Sequence, residues 1–307
     1  MRVLVTGGAG FIGSHLAASL ILEKHRVTVI DNLSHGHRHY VPVRAKFVQK
    51  DLVKDDIEKD LEGVETIFHF AADPDVRSSV DPSSSFNNNL VATFRLLEAC
   101  RKSSVKHVLF ASSSAVYGEA KKLPTPENYL CQPVSNYGAS KLGGEAFVTG
   151  YAACYGMKAS ILRFANIFGE HSAHGVMHDF YHKLKRNSKK LEILGDGRQE
   201  KSYLHVGDAV SAALTVWQKQ KEPLGIYNTG SRKKIKVKDI AKKMCKELSL
   251  SPKFVYTGGR RGWIGDVPLM LLDTRKLRSL QWEEQVSFDD GLKRYVEWLK
   301  MPKKRKK

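Results

Sequence analysis

The chain has 307 residues, of which 42% are apolar, enough to bury a core in one large domain or in a main domain with a smaller partner. No apolar run approaches the roughly 18 residues of a membrane-spanning helix, and a buried strand predicted from Arg2 leaves no room for a signal sequence, so we expect a soluble cytoplasmic protein that binds no membrane. Four widely spaced cysteines without a CxxC pattern give no support to a disulfide framework, and we expect no bound metal.

The formal net charge is +18, and six of the last eight residues, "KMPKKRKK", are Lys or Arg. Further basic runs at 183–190 and 232–243 are not interleaved with the aromatic residues that a single-stranded nucleic-acid platform requires. We interpret the charge as a solvated lysine-rich surface, not a nucleic-acid site, and expect removal of residues 303–307 to leave activity intact. A basic RNA-binding or redox-sensing protein on the same fold is the alternative of a different class.

Short β-branched runs alternate with amphipathic stretches in the first half of the chain. Such an alternation predicts βαβ units and hence an α/β, Rossmann-type doubly wound parallel sheet, with ligands outside the carboxyl ends of its strands. The predicted strands are 2–7, 26–31, 45–51, 66–72, 107–114 and 158–166, and the predicted helices are 11–24, 86–102 and 137–155.

The pattern loosens after Asn166, where short strands and helices near 176–187, 206–219, 237–248 and 287–299 predict a smaller mixed α/β lobe. We therefore expect a dinucleotide-binding domain over 1–166 and a mainly substrate-binding lobe over 167–307. No linker rich in Ser or Pro divides the halves, so segments around 200–228 are expected to return to the first domain.

A glycine-rich turn joins the first predicted strand to the first predicted helix. The sequence "VLVTGGAGFIGSH" satisfies both GxxGxxG and GxGxxG with Gly7, Gly10 and Gly13, a spacing that lets a pyrophosphate approach the helix N-terminus. Asp31 ends the second strand, eighteen residues beyond Gly13, where a carboxylate binds a ribose diol and repels a 2′-phosphate. The turn therefore predicts NAD binding in preference to NADP binding.

Tyr137 and Lys141 lie four residues apart in "VSNYGASK" and so share one face of a helix. For a tyrosine to act as a base near pH 7, its pKa must fall by about 3 units, or about 4 kcal/mol. One positive charge at about 4 Å supplies about 4 kcal/mol at an effective dielectric near 20. We therefore expect Lys141 to lower the pKa of Tyr137, against the alternative that the two are a helix-surface pair.

A series of motifs covers nearly the whole chain: "TGGAGFIGSH", "DNLS", "HFAA", "SSSAVYG", "YGASK", "RFANIFG", "GDGRQ" and "GDVP". In this order they resemble those of extended short-chain dehydrogenases/reductases of the NAD-dependent epimerase/dehydratase family. Within that family the chain is most similar to the UDP-glucose 4-epimerases. The resemblance implies bound NAD, a UDP-sugar substrate and a homodimer, which helices at about 86–102 and 140–155 would form as a four-helix bundle.

The resemblance also assigns site residues. Ser113, Tyr137 and Lys141 are implied as the catalytic group, with Lys141 also on the nicotinamide ribose. The implied NAD contacts are Gly7, Gly10, Phe11, Ile12 and Gly13 at the pyrophosphate, Asp31 and Asn32 at the adenosine ribose, Asp51 and Leu52 at the adenine, and Ala71 and Ala72 towards the nicotinamide.

Two neighbouring positions separate this chain from similar enzymes. Sugar-nucleotide 4,6-dehydratases carry an Asp-Glu pair directly after the active-site hydroxyl residue, because elimination of water needs an extra acid and base. UDP-glucuronate decarboxylases commonly keep the glutamate. Here the two positions hold Ser114 and Ala115, which leaves reversible hydride transfer at one carbon as the simplest chemistry.

The implied substrate contacts match the family less closely. Lys201 stands where the family usually has arginine, and Arg260 is an alternative to Arg261 because "RRGWIGD" is two residues longer than the commonest spacing. UDP-glucuronate or a UDP-N-acetylhexosamine is an alternative substrate. For Met270, which the resemblance implies at the hexose C2 substituent, the alternative is a position in the core of the second lobe. The implied contacts are Asn166, Lys201 and Arg261 for the diphosphate, Val176 and Asp266 for the nucleoside, and Met270 for the C2 substituent.

Overall fold

A computed structural model describes residues 1–75 and 82–302 of the chain, so the expectation for the tail at 303–307 lies outside the described residues. Alternating β-branched residues form the strands, as predicted. The strands are β1 Arg2–Thr6, β2 Arg26–Asp31, β3 Lys46–Gln49, β4 Thr66–His69, β5 His107–Ser113, β6 Lys158–Phe164, β7 Asn166–Phe168, β8 Lys190–Ile193, β9 Glu200–His205, β10 Leu224–Thr229, β11 Lys234–Lys236, β12 Lys253–Tyr256 and β13 Leu269–Met270.

Helices fill the predicted amphipathic stretches between the strands. They are α1 Phe11–Leu22, α2 Pro82–Ser85, α3 Ala92–Arg101, α4 Asn136–Tyr155, α5 Val176–Arg186, α6 Val206–Lys219, α7 Val237–Leu248, α8 Arg275–Ser279 and α9 Phe288–Lys300. In the part of the chain that the structure describes, none is long and apolar enough to span a membrane.

Seven strands of the described residues form a parallel sheet in the order β10-β6-β5-β4-β1-β2-β3, which confirms the predicted α/β Rossmann-type fold. The direction of the strand order reverses between β1 and β4, and such a switch point opens a crevice at the carboxyl ends of the strands. Apolar side chains of α1 and α6 pack on one face of the sheet, and those of α3 and α4 pack on the other.

The second lobe has its own core, which α5, α7 and α9 build against the short strands. In this lobe β9 pairs with β7, β11 and β13, and β8 pairs with β12. Between β9 and β11 the chain returns to the first lobe, where α6 packs beside α1 and β10 pairs with β6 at the edge of the large sheet.

The helix predicted over 86–102 is present, but it is not α-helical throughout. A π-helical turn at Phe86–Val91 joins α2 to α3. Within this turn Asn89 is buried and accepts a hydrogen bond from the Asp73 amide (2.7 Å) while donating to Ser140 Oγ (3.0 Å). These tertiary hydrogen bonds stabilise the wider π-helical turn, which places the Asn89 side chain beside the crevice.

Candidate active site

The glycine turn between β1 and α1 is a cradle that side chains would fill. Gly7 has φ +70°, and a Cβ on it would lie 2.6 Å from the Ala71 nitrogen. A Cβ on Gly13 would lie 2.2 Å from the Gly7 carbonyl oxygen. The first turn of α1 carries no acidic residue, and the N-cap residue, Gly10, has no side chain that could occupy the backbone N–H groups of that turn. The helix N-terminus therefore suits a phosphate group.

Asp31 is held at the end of β2 by the same turn. Its carboxylate accepts hydrogen bonds from the Ala9 amide (3.0 Å) and the Leu33 amide (2.8 Å). Burial raises the pKa of Asp31 while these two bonds lower it. Each carboxylate oxygen keeps a further lone pair, so Asp31 can accept from a ribose diol.

A cavity of about 930 Å³ runs from the glycine turn to the second lobe. Its walls come from both lobes, and its volume lies at the upper end of the range for small-molecule sites. The predicted site residues that line it are Gly7, Gly10, Phe11, Ile12, Gly13, Asp31, Asn32, Asp51, Leu52, Ala71, Ala72, Ser113, Tyr137, Lys141, Asn166, Val176, Lys201 and Asp266.

Tyr137 and Lys141 project from the first turns of α4, whose N-terminus is capped by Ser135 Oγ accepting from the Gly138 amide (3.1 Å). The Lys141 side chain is buried at 2% exposure and donates from Nζ to the Ala111 carbonyl oxygen (2.8 Å). Its Nζ lies 6.0 Å from the centre of the Tyr137 ring. The lysine is therefore bound to the end of β5, one helical turn below the phenol.

The electrostatics of this pair differ from the expectation. Burial raises the pKa of Tyr137 to about 12, a hydrogen bond with Ser113 works in the opposite direction, and Asp73 adds to the rise. Burial also lowers the pKa of Lys141 to about 8. In the protein alone Tyr137 is thus a neutral phenol near pH 7, because desolvation is the largest effect on its pKa and the Lys141 ammonium group points at Ala111.

Asp73 is a cavity residue that the sequence reasoning missed. It is buried, its carboxylate accepts from Ser84 Oγ and from the Asp75 amide, and its own amide donates to Asn89. The sequence carries a signal for it, since Asp73 follows β4 by four residues and side chains just beyond a parallel strand lie at the carboxyl edge of the sheet.

The second lobe contributes a cation and a carboxylate to the cavity, and Asn166, at the boundary between the lobes, contributes an amide. Lys201 Nζ lies 2.5 Å from Asp266 Oδ1, and Asp266 Oδ2 accepts from the Gly262 amide (3.0 Å). Asn166 has a buried Nδ2 without a hydrogen-bond partner among the described residues. A buried donor without a partner is costly, so Asn166 suits an acceptor such as a phosphate oxygen on a bound ligand.

The structure does not bring two of the predicted residues to the cavity. Arg261 forms an ion pair with Glu119 and does not line the cavity. Met270 packs in a small core cluster, which also contains Val116, Tyr117, Ala165 and Leu272. Its environment matches the core position that the sequence left as the alternative.

The described residues contain no group of three or more His, Cys, Asp or Glu side chains arranged to hold a metal ion.

Residues 3–230 match the model of the NAD dependent epimerase/dehydratase family. The UDP-glucose 4-epimerase of Corynebacterium glutamicum is 33% identical over 92% of this chain and 90% of its own length. A solved UDP-galactose 4-epimerase superposes with a TM-score of 0.90 at 40% identity, covering 97% of this chain and 98% of its own. The UDP-glucose 4-epimerase of Thermotoga maritima, solved with UDP-glucose, gives 0.91 at 33% identity with the same coverage.

Proposed function

The chain belongs to the NAD dependent epimerase/dehydratase family, and from that premise we propose that it is an NAD-dependent UDP-glucose 4-epimerase, interconverting UDP-glucose and UDP-galactose. One observation carries the proposal: Ser113, Tyr137 and Lys141 meet at one cavity with a glycine cradle for a dinucleotide. Ser114 and Ala115 follow Ser113 in a short 3-10 turn and offer neither the acid nor the base that dehydration needs.

The first lobe holds the cofactor in this proposal. Gly7, Gly10, Phe11, Ile12 and Gly13 bind its pyrophosphate. Asp31 and Asn32 bind the adenosine ribose, Asp51 and Leu52 contact the adenine, and Ala71 with Ala72 flank the path to the nicotinamide. Bound NAD would supply the redox chemistry at C4 of the sugar, accepting the C4 hydride and, as NADH, returning it to the opposite face of the 4-keto sugar. We assign residues 1–166 to this NAD-binding domain and 167–307 mainly to the substrate lobe, with 200–228 returning to the first.

The protein's own residues move the proton. Tyr137 takes the proton of the sugar 4-hydroxyl as a phenolate and later returns it as a phenol, while Ser113 hydrogen-bonds to the same oxygen. Because burial holds the pKa of Tyr137 at about 12, its phenolate form depends on positive charge nearby. Lys141 supplies one such charge and also binds the nicotinamide ribose.

The second lobe holds the nucleotide. Asn166 and Lys201 bind the diphosphate, the backbone at Val176 meets the nucleoside, and Asp266 accepts from its ribose. Lys201 must exchange Asp266 for a phosphate oxygen, which a single flexible ammonium group can do. Arg261 reaches the diphosphate only after leaving Glu119.

The test is turnover of UDP-galactose to UDP-glucose by the purified protein without added cofactor. The proposal predicts turnover, because NAD remains bound through purification. UDP-glucuronate and UDP-N-acetylglucosamine serve as alternative substrates in the same assay. Turnover of one of these with none of UDP-galactose would contradict the assignment of the sugar.

Met270→Tyr is expected to lower the melting temperature and to reduce kcat/KM equally for plain and N-acetylated sugars. Met270 is buried in a small cluster, so a larger ring overpacks it at a cost of about 1–3 kcal/mol. Leu269→Tyr is the matched control, because Leu269 precedes Met270 in β13 and is exposed. A loss of kcat/KM for the N-acetylated sugar alone would show that Met270 lines the sugar pocket.

We further propose that the protein is cytoplasmic and that it is a homodimer. Phe94 on α3 and Phe147 on α4 are 41% and 40% exposed, and their ring centres lie 5.5 Å apart. Phe86, in the turn before α3, is also exposed. Two neighbouring helices that share an exposed aromatic patch suit pairing with a second copy as a four-helix bundle.

Light scattering is expected to give twice the chain mass of 34.5 kDa. Phe94→Glu combined with Phe147→Glu places like charges in the patch and should yield the monomer. Leu22→Glu is the control, since Leu22 is an exposed apolar residue at the end of α1, in a different helix. A wild-type mass near that of one chain would refute the dimer.

A further inference from the structure

A buried carboxylate lies one helical turn beyond Lys141. Glu145 on α4 is 4% exposed, and both of its oxygens are occupied. Oε1 accepts from Ser112 Oγ (2.5 Å) and from Arg163 Nε (2.9 Å), and Oε2 accepts from Arg163 Nη2 (2.6 Å). Nothing in the proposed reaction uses these groups directly, yet Ser112 is the neighbour of Ser113.

The hydrogen-bond network continues from Arg163 to Tyr117, a few residues beyond Ser112 and Ser113. Arg163 Nη1 donates to the Tyr117 hydroxyl (2.8 Å), which in turn donates to Asn228 Oδ1 (2.7 Å) on β10. The segment 111–117 is therefore tied at three points: Ala111 by Lys141, Ser112 by Glu145 and Tyr117 by Arg163. Ser113 lies inside this span.

Stability alone does not account for the pair. Burying a carboxylate and a guanidinium carries a desolvation penalty for each ion, and apolar replacements of similar size are often as stable or more stable. A fully bonded ionic network specifies one arrangement of the groups around it.

We propose that Glu145 is a positioning residue of the active site: it fixes Ser113 through Ser112, and it keeps Lys141 in the ammonium form. The proposal deepens the proposed function, because it concerns the same three catalytic side chains. Glu145 does not reach the cavity, so it acts through its neighbours.

The charges around Lys141 support the second role. Burial lowers the pKa of Lys141 and Glu145 raises it. Of the other titratable groups near Lys141, Tyr137 on α4 and His69 on β4 are neutral near pH 7, with pKa values of about 12 and about 3. Asp73, after β4, acts on Tyr137, and Arg163 on β6 is bonded to Glu145. Glu145 is thus the anion that offsets the burial of Lys141.

Two variants separate the two roles. Glu145→Gln keeps the shape and removes the charge, so the pKa of Lys141 should fall by about 1–3 pH units. The shift is measured in the cofactor-free protein by NMR with ¹³C-labelled lysine, with the Lys141 signal identified by its loss in Lys141→Arg. The alkaline limb of kcat for UDP-galactose should move to lower pH in parallel. Ser112→Ala keeps the charge, so it should lower kcat severalfold, with KM and the titration of Lys141 unchanged.

Asp208→Asn is the control for a loss of stability alone. Asp208 on α6 is also a buried carboxylate, accepting from the Gln285 amide (3.0 Å) and the Val286 amide (2.9 Å) outside the cavity. This variant should lower the melting temperature and leave the titration of Lys141 in place. The same pattern in Glu145→Gln would overturn the electrostatic role, and wild-type kcat in Ser112→Ala would overturn the positioning role.

If Glu145→Gln fails to fold because Arg163 is left unpaired, the double variant Glu145→Gln with Arg163→Gln removes both charges. It should show a smaller fall in the pKa of Lys141, because the Arg163 cation is removed together with the anion, and an unchanged titration would again overturn the electrostatic role. The NMR titration does not require turnover, so a protein inactive on UDP-galactose would refute the proposed function without deciding the role of Glu145.

Discussion

Tyr137→Phe is expected to lower kcat for UDP-galactose by about 10²–10⁴-fold, the usual contribution of a positioned acid-base group. The ring remains, so α4 and the wall of the cavity keep their shape. Only the hydroxyl that bonds to Ser113 is lost. The variant should therefore retain NAD, measured as nucleotide released on denaturation, and its melting temperature should change little.

Tyr155→Phe provides the matched control at the other end of the same helix. Tyr155 is 56% exposed and lies outside the cavity, so loss of its hydroxyl should leave kcat unchanged. Wild-type activity in Tyr137→Phe would exclude Tyr137 as the group that moves the proton. A variant that had lost both NAD and activity would instead point to a structural role.

Gly13→Ala is expected to abolish retention of NAD through purification. The new methyl group would lie 2.2 Å from the Gly7 carbonyl oxygen, a backbone atom that cannot rotate away. The turn must therefore open, at a cost of about 1–3 kcal/mol, and the cradle for the pyrophosphate is distorted. A loss of this size in binding free energy weakens NAD binding by about 5- to 150-fold, which calorimetric titration of NAD into the stripped protein would measure.

Gly150→Ala is the control for that substitution. Gly150 also lies in a helix, but a Cβ there meets nothing within 4 Å. Alanine is favoured over glycine in a helix interior by about 0.5–1 kcal/mol, so this variant should be slightly stabilised and keep its NAD. Equal NAD content in the two variants would show that the glycine turn does not cradle the pyrophosphate.

The sequence predicted the architecture well where local pattern and global fold agree. β-Branched runs mark the strands of the large sheet, and the glycine turn marks the crevice between β1 and β4. The π-helical turn was missed because it depends on Asn89, whose partners Asp73 and Ser140 lie 16 and 51 residues away. No local spacing encodes such a contact.

The site was predictable in its composition and less so in its electrostatics. Residues at strand ends and in the first helical turns reach the cavity because the parallel sheet sends all of them to one edge. Arg261 is in a loop whose length does not fix where its side chain points. The pKa of Tyr137 predicted from the sequence took account of one attractive charge at about 4 Å. It left out desolvation, which is the largest effect on that pKa in the folded protein.

The return of β10 to the large sheet has a consequence for how the protein is made. β6 completes its hydrogen bonding only when residues 224–229 arrive, after the whole substrate lobe up to that point has been synthesised. A nascent chain that ends at Asn166 exposes β6 as an open edge, a surface on which unpaired backbone groups invite aggregation. The two lobes are therefore compact in space but interleaved along the chain, so the ribosome cannot complete one lobe before it begins the other.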